Sequence, residues 1–89
     1  MTIRVRLLIR GRVQGVGYRW FARDAAAGMD VAGWVRNLPD GRVEVEAESA
    51  PAAVASFIRE LQTGLPFARI DEVQRSDIKP KGEKSFEIH

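Results

Sequence analysis

The densest chemistry in the chain lies in Gly11-Arg12-Val13-Gln14-Gly15-Val16-Gly17-Tyr18-Arg19. Its glycines allow a sharp turn and let a ligand approach the backbone with no Cβ in the way. An apolar strand pattern ends where this stretch starts, and a helical pattern begins where it stops. A helix that opens directly after such a loop points free N–H groups and the positive end of its dipole into the loop. Arg19 falls in the first helical turn, where the dipole opposes a cation unless an anion lies beside it. A guanidinium there matches the bidentate geometry of phosphate. The plainer alternative is an ordinary strand-to-helix turn with Arg19 solvated. The spacing is not a dinucleotide fingerprint, because Trp20 stands where the last glycine belongs. It is not a Walker loop either, since no Lys-Ser or Lys-Thr pair closes it.

Asn37 is the second candidate. Asparagine is disfavoured inside strands, and here it precedes Pro39-Asp40-Gly41. It either caps that turn or presents an amide that accepts from, and donates to, a water. It does not titrate near neutral pH and so is no general base. Trp20, Phe21 and Trp34 could stack nucleobases, although packing is the commoner use of such residues. Glu44, Glu46 and Glu48 stand on the third strand, where the RNA-binding version of this element order carries aromatics. These acids would repel phosphates, so no nucleic-acid partner is expected.

Composition narrows the chemistry further. With no cysteine and a single histidine, His89 at the chain end, thiolate nucleophiles, disulfides and histidine-rich metal sites are excluded. The 89 residues are 45% apolar and fit one domain, residues 1–89, with one core. Neither a signal-peptide pattern nor an apolar run of membrane length is present. A cytoplasmic monomer with no membrane partner is the expectation. Net charge is only +2, but Arg4, Arg6, Arg10, Arg12, Arg19 and Arg23 all precede the first acid, Asp24. A local cationic site for a small anion accounts for that clustering.

The elements that must position these residues follow from periodicity. Ile3, Val5, Leu7 and Ile9 alternate with Arg4, Arg6, Leu8 and Arg10, predicting a half-buried strand. From Tyr18 the stripe of Tyr18, Phe21 or Ala22, Ala25 and Met29 predicts a helix that Gly28 ends. Residues 31–38 and 42–48 predict two strands joined by the Pro39-Asp40-Gly41 turn. Ser49 is the expected N-cap of a second helix carrying Val54, Phe57, Ile58 and Leu61, closed by Gly64. Residues 70–78 predict a weaker strand, residues 79–83 an exposed turn, and residues 85–88 a short strand. The order β-α-β-β-α-β plus a short strand predicts an α+β, ferredoxin-like split βαβ sandwich. Its antiparallel sheet would carry two helices on one face and leave the other open to water. Arg4, Arg6 and Arg10 would then share that open face with Glu44, Glu46 and Glu48. Each cross-strand pair would add about a few tenths of a kcal/mol.

The residues from Gly11 to Arg19 resemble the signature of the acylphosphatase family, in which G-x-V-Q-G-V is followed by a variable residue, an aromatic and an arginine. Gly33-Trp34-Val35-Arg36-Asn37, followed by an acidic-glycine turn, is similar to that family's second signature. Gly64-Leu65-Pro66 and Ala68-Arg69-Ile70 are similar to the segment after its second helix, so the resemblance runs along essentially the whole chain. It implies hydrolysis of a carboxyl–phosphate anhydride to a carboxylate and inorganic phosphate, with no metal and no cofactor. Arg19 would bind the phosphate together with backbone N–H groups of Arg12, Val13, Gln14, Gly15, Val16, Gly17 and Tyr18. Asn37 would hold the attacking water. The implied partners are a small-molecule acyl phosphate and inorganic phosphate as product or inhibitor. A phosphate-binding module without turnover, on the same fold, is the competing reading.

Overall fold

The computed structural model describes every residue, Met1–His89. The alternating and helical patterns resolve into β1 (Ile3–Arg12), α1 (Tyr18–Gly28), β2 (Ala32–Asn37), β3 (Val43–Ser49), α2 (Pro51–Thr63), β4 (Arg69–Ile78) and β5 (Phe86–Ile88). The strands form one sheet in the order β4-β1-β3-β2-β5. This is the ferredoxin-like α+β arrangement, with both helices on one face. Val5, Leu7 and Ile9 of β1, Val43, Val45 and Ala47 of β3, and Val35 of β2 are all wholly buried there. They pack beneath Tyr18, Ala22 and Ala26 of α1 and Val54, Phe57 and Leu61 of α2. No helix is long and apolar enough to cross a membrane.

The sheet is mixed, not wholly antiparallel: β5 pairs in parallel with β2, through Gly33↔Phe86, Trp34↔Glu87 and Val35↔Ile88. The chain leaves β4 at one edge of the sheet and re-enters as β5 at the other, so it must cross β1, β3 and β2 on the way. Phe86 anchors the arrival by packing edge-on against Phe57, with ring centroids 5.6 Å apart.

That crossing covers one end of the outer face, which was expected to be wholly open to water; elsewhere the face stays open, with the Arg6 and Arg36 side chains 42% and 51% exposed. Residues 79–85 lie across the end of the sheet, and beneath them Arg4 is only 1% exposed, Glu46 8% and Glu48 6%. Arg4 donates to Glu46 at 2.8 Å, to Glu48 at 3.0 Å and to Glu83 of the crossing segment. Glu48 accepts the backbone N–H groups of Lys81 at 2.7 Å and Gly82 at 2.8 Å. Burial disfavours charge on both Arg4 and Glu48. The hydrogen bonds overcome it, holding the Arg4 pKa above and the Glu48 pKa below the ordinary value. Glu44 is buried between Arg6 and Arg36, which likewise hold its pKa down against the cost of burial.

Two further expectations are corrected. Arg10 pairs with Asp71 and Glu72 of β4, not with the β3 acids. The last β1–β3 pair is Ile9↔Val43, so β3 has no residue to offer opposite Arg10. Ser49 is not the cap of α2: the N-cap is Ala50, Pro51 opens the helix, and the Ser49 hydroxyl donates to the Asp30 carbonyl at 3.0 Å.

Candidate active site

β1 and β2 are both antiparallel to β3, so they run in the same direction and end at the same edge of the sheet. The residues singled out in sequence therefore meet at one place. β1 ends at Arg12, in register with Arg69 of β4, and residues 13–17 lead into α1. β2 ends at Asn37. Ile9, Val43 and Asn37 form a single row across β1, β3 and β2. Paired residues in a row point to the same face. Ile9 and Val43 are wholly buried on the helix side, so Asn37 also points to the face on which α1 lies.

The glycines of the loop do different jobs. Gly11 sits at a register break between β1 and β4, and a Cβ there would come within 1.9 Å of the Arg69 carbonyl oxygen. It serves strand packing, not the turn. Gly15 and Gly17 carry the left-handed conformations that turn the chain, with φ of 76° and 79° and open space beside both. Gly17 is also the N-cap of α1, and it supplies no capping side chain. The first N–H of this region to find a backbone acceptor is that of Phe21, which donates to the Gly17 carbonyl at 3.0 Å. The N–H groups from Val13 through Trp20 have no backbone acceptor. A run of unpartnered N–H groups at the positive end of a helix is a cradle for an anion.

Arg19 lies about 100° around α1 from the buried Tyr18 and is half-buried. Arg23, one turn on, reaches Asp24 at 3.7 Å and stacks on Trp20 at 4.4 Å. Arg19 joins no ion pair and no side-chain hydrogen bond. Asn37 Oδ1 is the one buried side-chain polar atom in the chain with no hydrogen-bond partner. The turn that follows is built without it. Asp40 accepts the backbone N–H of Arg42 at 3.0 Å, which with the Arg42 side chain holds its carboxyl below the usual range. Asn37 is thus free of the capping duty that its position next to a turn suggested.

The sequence assigned only the backbone of Gln14, yet its side chain ties the two halves together. Gln14 Nε2 donates to the Leu38 carbonyl at 2.8 Å and to the Arg42 carbonyl at 2.9 Å. The signal was a lone amide side chain among glycines and valines. Tyr18 is another unanticipated anchor: its hydroxyl is buried and donates to the Leu61 carbonyl at 2.7 Å, fixing the start of α1 to the end of α2. Burial raises the Tyr18 pKa, so the phenol stays protonated. Trp34 stacks on His89 and lies beneath Arg36 on the outer face, away from the loop.

The acylphosphatase family model matches residues 5–88. The chain belongs to the acylphosphatase family. An acylphosphatase of Anaeromyxobacter dehalogenans is 47% identical over 87 residues, spanning 97% of this chain and 94% of that protein. A second, from Thermococcus kodakarensis, is 43% identical over 97% of this chain and 94% of its own length. The crystal structure of acylphosphatase from Bacillus subtilis superposes with a TM-score of 0.94 at 37% identity, covering all of this chain and 99% of that one. The chain is an acylphosphatase-family enzyme, and the family acts on small acyl phosphates.

Proposed function

We propose that the chain hydrolyses acyl phosphates through a two-part site. The loop from Arg12 to Tyr18 binds the phosphoryl group with its backbone N–H groups, and Arg19 supplies the neutralising cation. Asn37 holds the attacking water, which hydrogen-bonds to Oδ1. The water oxygen bonds to phosphorus as the phosphorus–acyl oxygen bond breaks. The carboxylate leaves with the bonding electron pair, and the water's proton passes to the product phosphate or to solvent.

Phosphoryl transfer depends mainly on alignment and on stabilising charge spread over the equatorial oxygens. Arg19 and the loop dipoles serve the charge, and Asn37 serves the alignment. A carboxylate is a good leaving group, so the reaction asks for no strong base. The positive charge comes from the chain itself, so turnover should survive a chelator.

The observation that carries this reading is the unpartnered Asn37 Oδ1. Buried polar groups are nearly always satisfied, and an exception calls for a cause. An acceptor kept for a reacting water supplies that cause. The test is hydrolysis of benzoyl phosphate by the wild type and by Arg19→Ala. Turnover in the variant should fall on the order of a thousandfold, and inorganic phosphate should cease to compete. Near-normal kinetics in Arg19→Ala would refute the reading.

A further inference from the structure

The loop that cradles the anion and the strand that ends in Asn37 belong to different elements, separated in the sheet by β3. In-line attack requires their relative placement to be held within a fraction of an ångström. Gln14 is the side chain that spans them. One nitrogen, Nε2, directs both its hydrogens across the gap, to Leu38 and Arg42. Leu38 directly follows Asn37, and its own N–H closes the turn by donating to Arg42 at 2.8 Å. Gln14 therefore bonds both carbonyls that frame the mouth of the β2–β3 turn.

We propose that Gln14 is a positioning residue for hydrolysis: it sets Asn37, and the water that Asn37 holds, against the phosphoryl group in the loop. This rests on the two-part site above. Both amide hydrogens of Gln14 go to the Leu38 and Arg42 carbonyls, so its side chain has none to donate to the phosphate or the water; it acts through the end of β2. Its loss should lower kcat and leave phosphate binding nearly intact, because the loop N–H groups and Arg19 remain. Small misplacements of reacting groups cost up to about a hundredfold in rate.

Two variants test this. Gln14→Met keeps the length and removes both donors. Its kcat on benzoyl phosphate should fall roughly ten- to a hundredfold, with the inhibition constant for inorganic phosphate changed by less than about threefold, within roughly 0.7 kcal/mol. Gln14→Glu keeps the shape but sets a carboxylate against two carbonyl oxygens. Only its protonated form can donate, and then only one hydrogen bond. The ratio of its rate to that of the wild type should rise as pH falls, a signature that a space-filling role would not produce.

Unchanged kcat in Gln14→Met overturns the proposal. So does a proportional loss of kcat and phosphate affinity. Should Gln14→Met not fold, the pH ratio of Gln14→Glu decides, and a flat ratio rejects the tether. Failure of the two-part site is seen separately, as phosphate competition that survives Arg19→Ala.

Discussion

The two ends of the sheet treat charge and hydrogen bonding in opposite ways. At the end where β1 and β2 finish, polar groups are left without partners. The N–H groups from Val13 through Trp20 lack backbone acceptors, and Asn37 Oδ1 is buried without a donor. Arg19 has no ion pair. At the other end, under residues 79–85, the polar groups bind one another. Arg4 meets Glu46, Glu48 and Glu83, and Glu48 also accepts the N–H groups of Lys81 and Gly82. The same residue type, arginine, is spent on the fold at one end and kept available at the other. Groups already matched in the free protein hold structure; groups left unmatched at a common edge are the ones that the proposed function gives to the phosphoryl group and the water.

The contrast is broken most directly at Arg4. Arg4→Ala removes the cation that three carboxylates share, leaving Glu46 only the Lys81 ammonium and Glu48 only the Lys81 and Gly82 N–H groups, and breaking a buried charge pair costs about 3–5 kcal/mol. Urea unfolding should show that loss, while kcat per folded molecule stays near the wild-type value. A loss under about 1 kcal/mol would mean that this end behaves as open surface.

Asn37→Ala makes the converse test. Turnover should fall on the order of a hundredfold, yet thermal stability should hold or rise slightly, because an unsatisfied acceptor is removed. A marked drop in melting temperature would show that Asn37 serves the fold after all.

Acid should separate the two ends without any mutation. Glu48, at the crossing end, has a folded pKa below its ordinary value. Its contribution to stability is therefore complete above the ordinary glutamate range and is lost as pH falls below about 4.5 toward the depressed value. Hydrogen-exchange protection at Lys81 and Gly82 should decline over that window. Amides from Val13 to Trp20 should already be poorly protected at neutral pH. Equal protection at both ends, at any pH, would remove the distinction.

The smallest effect is expected at Ser49. Its hydroxyl bonds an exposed loop carbonyl and caps nothing. Ser49→Ala should change stability by less than about 0.5 kcal/mol. A loss near 1 kcal/mol would restore it to the capping role that its sequence position suggested.

Much of the fold was legible because period-2 and period-3.6 patterns report on one element at a time. Val43, Val45 and Ala47 against Glu44, Glu46 and Glu48 define a strand wherever the rest of the chain goes. β4 was harder, since as an edge strand it needs only Ile70 and Val73 to touch the core, and its alternation is accordingly broken. The direction of β5 was not legible at all. Only three residues long, it takes its orientation from the connector that delivers it, and connector paths leave no local pattern. The candidate site was legible as residue types, Arg19 and Asn37, because glycine spacing and a misplaced asparagine are local signals. The Gln14 tether was not, because its acceptors lie 24 and 28 residues away and are backbone atoms, which no residue type announces.

By itself the sequence determined which residues share a face, where the chain must turn, and that a cation opens α1 after a glycine loop. These depend on backbone geometry within a few residues. Tertiary structure alone decided that Arg4 and the β3 glutamates are buried, that Arg10 turns to β4, and that Asn37 comes to lie at the loop's edge of the sheet. Those outcomes depend on strand order and on where a connector crosses, which are properties of the assembled sheet. Burial of a charge and freedom of a hydrogen-bonding group are set by neighbours, and the neighbours here are distant in the chain.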